Sequence, residues 1–315
     1  AGVVLARNEW RLAGRLGALD AAAAQVTTLD PALPPPDADP ARPVWLTGPA
    51  RAEGSLRDPL FPAATADALR LDRLAETRQW REIRETGSGG DRNTRYEEVW
   101  SAERIDSALF QQRAEHANPA PLPLEPASFP AGDVRLGRHR LSPELLAPLP
   151  ATSVIEPASL GPTNAAGRRF VPAGDWLTTG NPASPRVGDA RVRWSYVPEG
   201  PISVLGAHDG TTLVPWRAPS GEAVALAARG EVAPADLLGA AGRNAWGEAW
   251  RLRLFVAGGL TLLFLIASPA LANLVPAFEG ARVRSRLVTA LTLAAGWTAL
   301  ACGAGWIAAR TALPG

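Results

Sequence analysis

The chain has 315 residues and a formal net charge of +1, with 32 basic and 31 acidic side chains. That balance excludes the basic footprint of a nucleic-acid partner. One cysteine, Cys302, excludes an internal disulfide and a thiolate zinc cluster.

From the N-terminus, residues 1–6 are apolar up to Arg7 and precede no Met. They read as the end of a first membrane helix in a processed or truncated chain. Residues 8–25 place Trp10, Leu12, Leu16, Leu19 and Ala23 near one helical stripe, as a stalk helix would. Residues 1–29 thus form the first segment. Residues 30–43, with prolines at 31, 34, 35, 36, 40 and 43, read as a stiff extended linker.

Residues 44–250 read as a β-rich extramembrane domain. Short strands are expected at 44–48, 189–197 and 222–228. Residues 71–84 and 94–105 flank a Gly-rich turn and predict a hairpin. Trp80, Ile83, Tyr96, Val99 and Trp100 alternate there with charges, so one face is expected to be buried and the other solvated by Glu and Arg. Asp209-Gly210 predicts a second hairpin within 202–216. Helices are few: Ser107 caps one running to Glu115, Ser142-Pro143 opens another, and Pro234 starts a third over 234–241.

Residues 251–315 read as a transmembrane hairpin, with uncharged spans at about 254–278 and 287–309. Trp246, Trp250, Arg251 and Arg253 suit the membrane interface before the first span, and Arg282, Arg284 and Arg286 suit the connecting loop. Gly258, Gly259, Gly296, Gly303 and Gly305 offer smooth surfaces for helix packing. The fold class expected is therefore an integral membrane α+β protein with a C-terminal transmembrane helical hairpin. The first helix end places the large domain outside and the Arg-rich loop inside.

Signs of catalysis are lacking. His116, His139 and His208 have no second ligand at metal spacing. Ser195 lies in a strand pattern, not in a nucleophile elbow. Gly87–Gly90 suits a turn better than a phosphate cradle, since no helix follows. Glu82, Glu97, Glu98 and Glu103 alternate with Arg as a solvated face does. Neither span carries a charged residue of the kind that a proton relay needs. Catalytic, cofactor and metal residues are all expected to be none.

Several blocks carry a resemblance. LRDPLF at 56–61, RLAETRQWRE at 73–82, TRYEEVWSAERID at 94–106 and FQQRAEHANPAPLPLE at 110–125 come first. VRLGRHRLSPELL at 134–146, GDWLTTGNPASPRVGDARVRWSY at 174–196 and LVPWRAPSGEAVALAARGEVAPADLL at 213–238 follow. In this order and spacing the chain resembles the transmembrane protein 43 (LUMA) family over nearly its whole length. The resemblance implies a four-span protein whose large domain follows the first span, in the nuclear-envelope lumen of eukaryotes or the periplasm of bacteria. In animals it implies self-association and envelope partners such as emerin and lamins, which do not carry over to a bacterial-looking sequence. It supplies no catalytic residues. Asn118-Pro119 and Gly188-Asp189 match its motifs and read as turn formers.

The function expected is a non-enzymatic membrane scaffold or accessory subunit in a bacterial inner membrane, with a periplasmic domain. Its partners would be the lipid bilayer, other membrane proteins in a multi-subunit complex, or further copies of itself. The alternative is an oligomeric channel or transporter component.

Overall fold

The computed structural model describes residues 2–65, 67–86, 92–272 and 283–312. Among these, five α-helices occur: α1 (Gly2–Gln25), α2 (Pro143–Leu146), α3 (Pro157–Leu160), α4 (Pro234–Ala272) and α5 (Val283–Ala312). The rest is mostly strand and turn. Two compact units result, one of Gly48–Ile202 and one of Ala1–Thr47 with Ser203–Gly315.

The unit at 48–202 is organised by one long strand, Ala68–Thr86. Its second half pairs antiparallel with Arg92–Ser101, from Thr77↔Ser101 to Thr86↔Arg92. Its first half pairs with Ala190–Pro198, from Ala190↔Thr77 to Pro198↔Ala68. Trp176–Thr178, Arg168–Ala173 and Thr163–Ala165 continue the sheet as an antiparallel meander. Both long strands of the first expected hairpin are present, and residues 87–91, which include its turn, lie outside the described residues. The helix expected from Ser107 to Glu115 is only a 3-10 turn, Ser107–Leu109, capped by the Asp106 side chain.

Side chains alternate across a strand, and here Leu71, Arg73, Ala75, Thr77 and Gln79 point inward. Phe61, Phe170, Leu177, Val192 and Trp194 complete that core. Phe61 meets Phe170 and Trp194 edge-on at ring separations of 5.1 and 5.0 Å, a preferred aromatic geometry. Arg73 is tolerated inside because Asp58 joins it: Nη1 donates to both Asp58 oxygens at 2.7 and 2.9 Å. Trp194 Nε1 and the Leu60 amide each donate to Asp58 at 2.9 Å.

The opposite face differs from the expected separation of aromatic and charged residues. Trp100 and Trp176 lie among the charges, with the Arg191 guanidinium 4.5 and 4.2 Å from their ring centres. Glu76 accepts from Arg191 Nε at 2.7 Å. An indole face attracts a guanidinium, so both side chains stay half-buried on the outer surface.

In the other unit the hairpin at Asp209-Gly210 is present, pairing Ala207↔Val214 and His208↔Leu213. Asp209 Oδ1 accepts the Thr211 and Thr212 amides at 2.9 and 2.7 Å, and Gly210 takes a φ of +101° that its missing Cβ permits. Residues 30–43, read as a linker, run into a strand that starts at Asp39 and continues to Ala52. The second half of α1 packs Ala18, Leu19 and Ala22 against Leu205, Ala207 and Trp216, with Leu237 and Leu238 of α4 in the same cluster.

The buried stripe of α1 is Leu5, Glu9, Leu12, Leu19 and Ala22. Trp10, expected on that stripe, is exposed. Leu12 and Leu19 of the expected stripe are buried, Ala23 is exposed like Trp10, and the acidic Glu9 occupies an inward position.

The transmembrane hairpin is corrected by this structure. Among the described residues, no helix is long and apolar enough to cross a membrane. Instead α4 starts at Pro234 and carries Asp236, Arg243, Glu248, Arg251 and Arg253 along its first half. It buries Ala245 and Ala249 in one cluster with Leu12 of α1. α5 buries Ala290 and Ala294. Each helix thus buries small residues along one face against protein. Of the connection expected over 279–286, residues 279–282 lie outside the described residues and 283–286 form the start of α5 instead of a loop.

Candidate functional site

Helices α1, α4 and α5 line an open groove of about 550 Å³, a volume typical of small-molecule sites. Small residues make it. Ala257 on α4 and Ala295, Ala299 and Gly303 on α5 leave the space open, while Trp246, Trp250 and Trp306 wall it.

One wall is charged. Glu9 is 1 % exposed, and Arg253 meets it with two parallel bonds, Nε to Oε1 at 2.9 Å and Nη2 to Oε2 at 2.5 Å. Asn8 donates to Glu9 Oε1 at 3.1 Å. The guanidinium also faces the rings of Trp246 and Trp250, 5.4 and 4.8 Å from their centres. Such bidentate pairing is the strong form of the interaction. Burial pushes the Glu9 carboxyl up, but the Arg253 and Asn8 bonds and the Arg253 charge outweigh it, leaving the pKa lowered. The Arg253 pKa is raised, first by its bond to Glu9. Glu9 is therefore held ionised and engaged, a poor general base. The arrangement can hold an apolar molecule beside a neutralised ion pair.

The structure brings three of the expected interface residues, Trp246, Trp250 and Arg253, onto this cavity, with Gly303 opposite. Arg251 is exposed on α4. Gly258, Gly259 and Gly296 are exposed too, with open space where a Cβ would project. Arg284, Arg286 and Gly305 belong to α5, and Arg282 lies outside the described residues. Glu9, Thr298 and Trp306 were not anticipated. Only one signal pointed to Glu9: an acidic side chain at helical spacing between Leu5 and Leu12.

The histidines and the Glu-rich hairpin are placed elsewhere. His116 stacks on Tyr96 at 3.7 Å between ring centres and meets Trp80 edge-on. Glu82 accepts from Tyr96 Oη at 2.5 Å, from the Gln111 amide at 2.6 Å and from Arg84 Nε at 2.5 Å. Glu97 pairs with Arg81 and Glu98 with Arg78. Asn118, read as a turn former, lays its amide along the strand edge: it accepts the Trp80 N–H at 2.7 Å and donates to the Trp80 carbonyl at 2.9 Å. Among the described residues no group of three His, Cys, Asp or Glu could hold a metal ion.

Comparison with known proteins follows the same lines. The family model described as Transmembrane protein 43 matches residues 75–311. The chain is 27% identical to human Transmembrane protein 43 over 286 residues, which cover 84% of this chain and 70% of the human protein. Its identity to the rat protein of that name is 25% over the same coverage. No solved structure matches. With the family model spanning most of its length, the chain belongs to the transmembrane protein 43 family, whose members are membrane-associated.

Proposed function

We propose that this protein is a non-enzymatic scaffold or accessory subunit at a membrane, binding protein partners within a larger inner-membrane complex of a bacterium. The observation that supports the reading is the outer surface of α4 and α5. Phe255 is 79 % exposed, Leu300 68 % and Leu262 59 %. Clustered exposed apolar side chains mark contact with protein or lipid. The inward-facing Arg253 of α4 is engaged by Glu9 of α1. The Arg and Trp face of the other unit supplies side chains favoured in protein interfaces.

Gentle solubilisation of the native membrane, followed by size separation and identification of co-migrating chains, tests this reading. A fixed set of partners at constant stoichiometry is expected. Recovery of the chain alone counts against it. A homo-oligomer that conducts solute in reconstituted vesicles replaces it with a channel.

A further inference from the structure

The cavity among α1, α4 and α5 carries an inference that stands apart from the scaffold reading. Its α4 wall runs from Trp246 to Ala257 and its α5 wall from Ala295 to Trp306. Each wall spans eleven helical steps, roughly 16 Å at ~1.5 Å per residue. A volume of about 550 Å³ spread over that length is an elongated slot, open along one side. Apart from Glu9, Arg253, Thr298 and Cys302 the groove is lined by indole rings, alanines, Gly303 and Leu254. A slot of this kind suits a hydrocarbon chain or a flat ring system.

The polar end decides what sort of lipid fits. Among the described lining residues, Glu9 and Arg253 are the only charged ones, and they neutralise each other. A ligand bringing a carboxylate or phosphate there would compete with Glu9 for the guanidinium and strand a buried charge, which is costly. A cationic head would compete with Arg253 for Glu9 and for the rings of Trp246 and Trp250. An uncharged oxygen does neither. Arg253 Nη1 takes no part in the bonds to Glu9 and can donate to such an oxygen without breaking the pair. Thr298 already donates to the Ala294 carbonyl at 2.8 Å. We propose that the slot binds one molecule of an uncharged, elongated lipid, with a hydroxyl or carbonyl oxygen seated at Arg253 and the apolar body along Trp246, Trp250 and Trp306.

The test uses the full chain in phosphatidylcholine vesicles and a photoreactive analogue of hexadecanol carrying a diazirine on its chain. Saturable labelling is expected on peptides holding Trp250 and Ala299. Unlabelled hexadecanol should displace it at about one tenth of the concentration needed with palmitate at about pH 8, the penalty for a charged head. Ala299→Trp should abolish the saturable labelling by filling the slot. Gly303→Leu is a second filling variant, should the first not fold. Labelling confined to Phe255 and Leu300, rising without saturation, would overturn the site and leave only bulk lipid contact. Displacement by palmitate at or below the hexadecanol concentration would overturn the uncharged class. Neither readout depends on whether protein partners are captured, so the scaffold reading and this one fail separately.

Discussion

Asp58 shows how much one side chain carries. It is buried and accepts four hydrogen bonds from three nitrogens, two of the bonds from Nη1 of Arg73, which is itself 7 % exposed. Removing one partner of a buried pair leaves the other charge uncompensated, which costs far more than the pair itself contributes. We expect Asp58→Asn to lower the unfolding free energy by about 3 kcal/mol. Asp58→Leu combined with Arg73→Met, which removes both charges, should be less damaging than Asp58→Asn. Denaturant unfolding of the three variants in detergent measures both. A loss below about 1 kcal/mol in Asp58→Asn would mean that water reaches the pair. Gly180 is a second such position. Its φ is +67°, and a Cβ there would lie 2.7 Å from Asp189 Cγ, because the Asp189 carboxylate folds back to accept the Arg186 amide at 2.8 Å.

Among the elements, the hairpin of Ala68–Thr86 and Arg92–Ser101 is fastened to the segment after it by Glu82, Tyr96 and His116. Burial pushes the Glu82 carboxyl up, but the Tyr96 hydroxyl, the Gln111 amide and Arg84 outweigh it and lower the pKa from its ordinary 4.5. A carboxyl lowered on folding stabilises the folded state above its unfolded pKa, and that gain is lost as pH falls through the folded value. Wild type should therefore exceed Glu82→Gln in denaturant midpoint near neutrality, and the gap should close as pH drops below 4.5. A gap unchanged across that range would place the stabilisation in packing of the Tyr96 and His116 rings. The two strands of this hairpin could be read from alternation, as could the turn at Asp209-Gly210. Which face is buried could not. Arg73 in the pattern looks solvated until Asp58, fifteen positions earlier, is seen to join it. Trp100 looks buried until Arg191, from a distant strand, is seen to stack on it. Non-local partners reverse the preference of each residue, and local periodicity does not report them.

At the scale of the whole chain the same limit governs the C-terminal helices. Their apolar composition was legible, and the inference drawn from it, a spanning hairpin, was not met by the described helices. Hydropathy counts apolar residues without saying which of them face protein. Ala245, Ala249, Ala290 and Ala294 are buried, whereas Phe255 and Leu300 project outward. The cavity was partly legible, since Trp246, Trp250 and Arg253 were singled out for a membrane interface. Glu9 was missed because an acidic residue on an α1 stripe argues for the solvent side. Membership in a membrane-associated family and the outward apolar residues lead to the same prediction. Changing Phe255 and Leu300 together to Asp puts two charges where apolar surroundings are expected, each costing on the order of 3 kcal/mol if those surroundings are lipid. The fraction of the chain that floats with membranes in a density gradient should fall sharply. Val154→Asp, at a position 63 % exposed in the other unit, should leave flotation unchanged. Equal flotation of both variants would mean that the outer faces of α4 and α5 do not hold the protein at the membrane, and would move that role to the Trp- and Arg-bearing sheet face around Arg191.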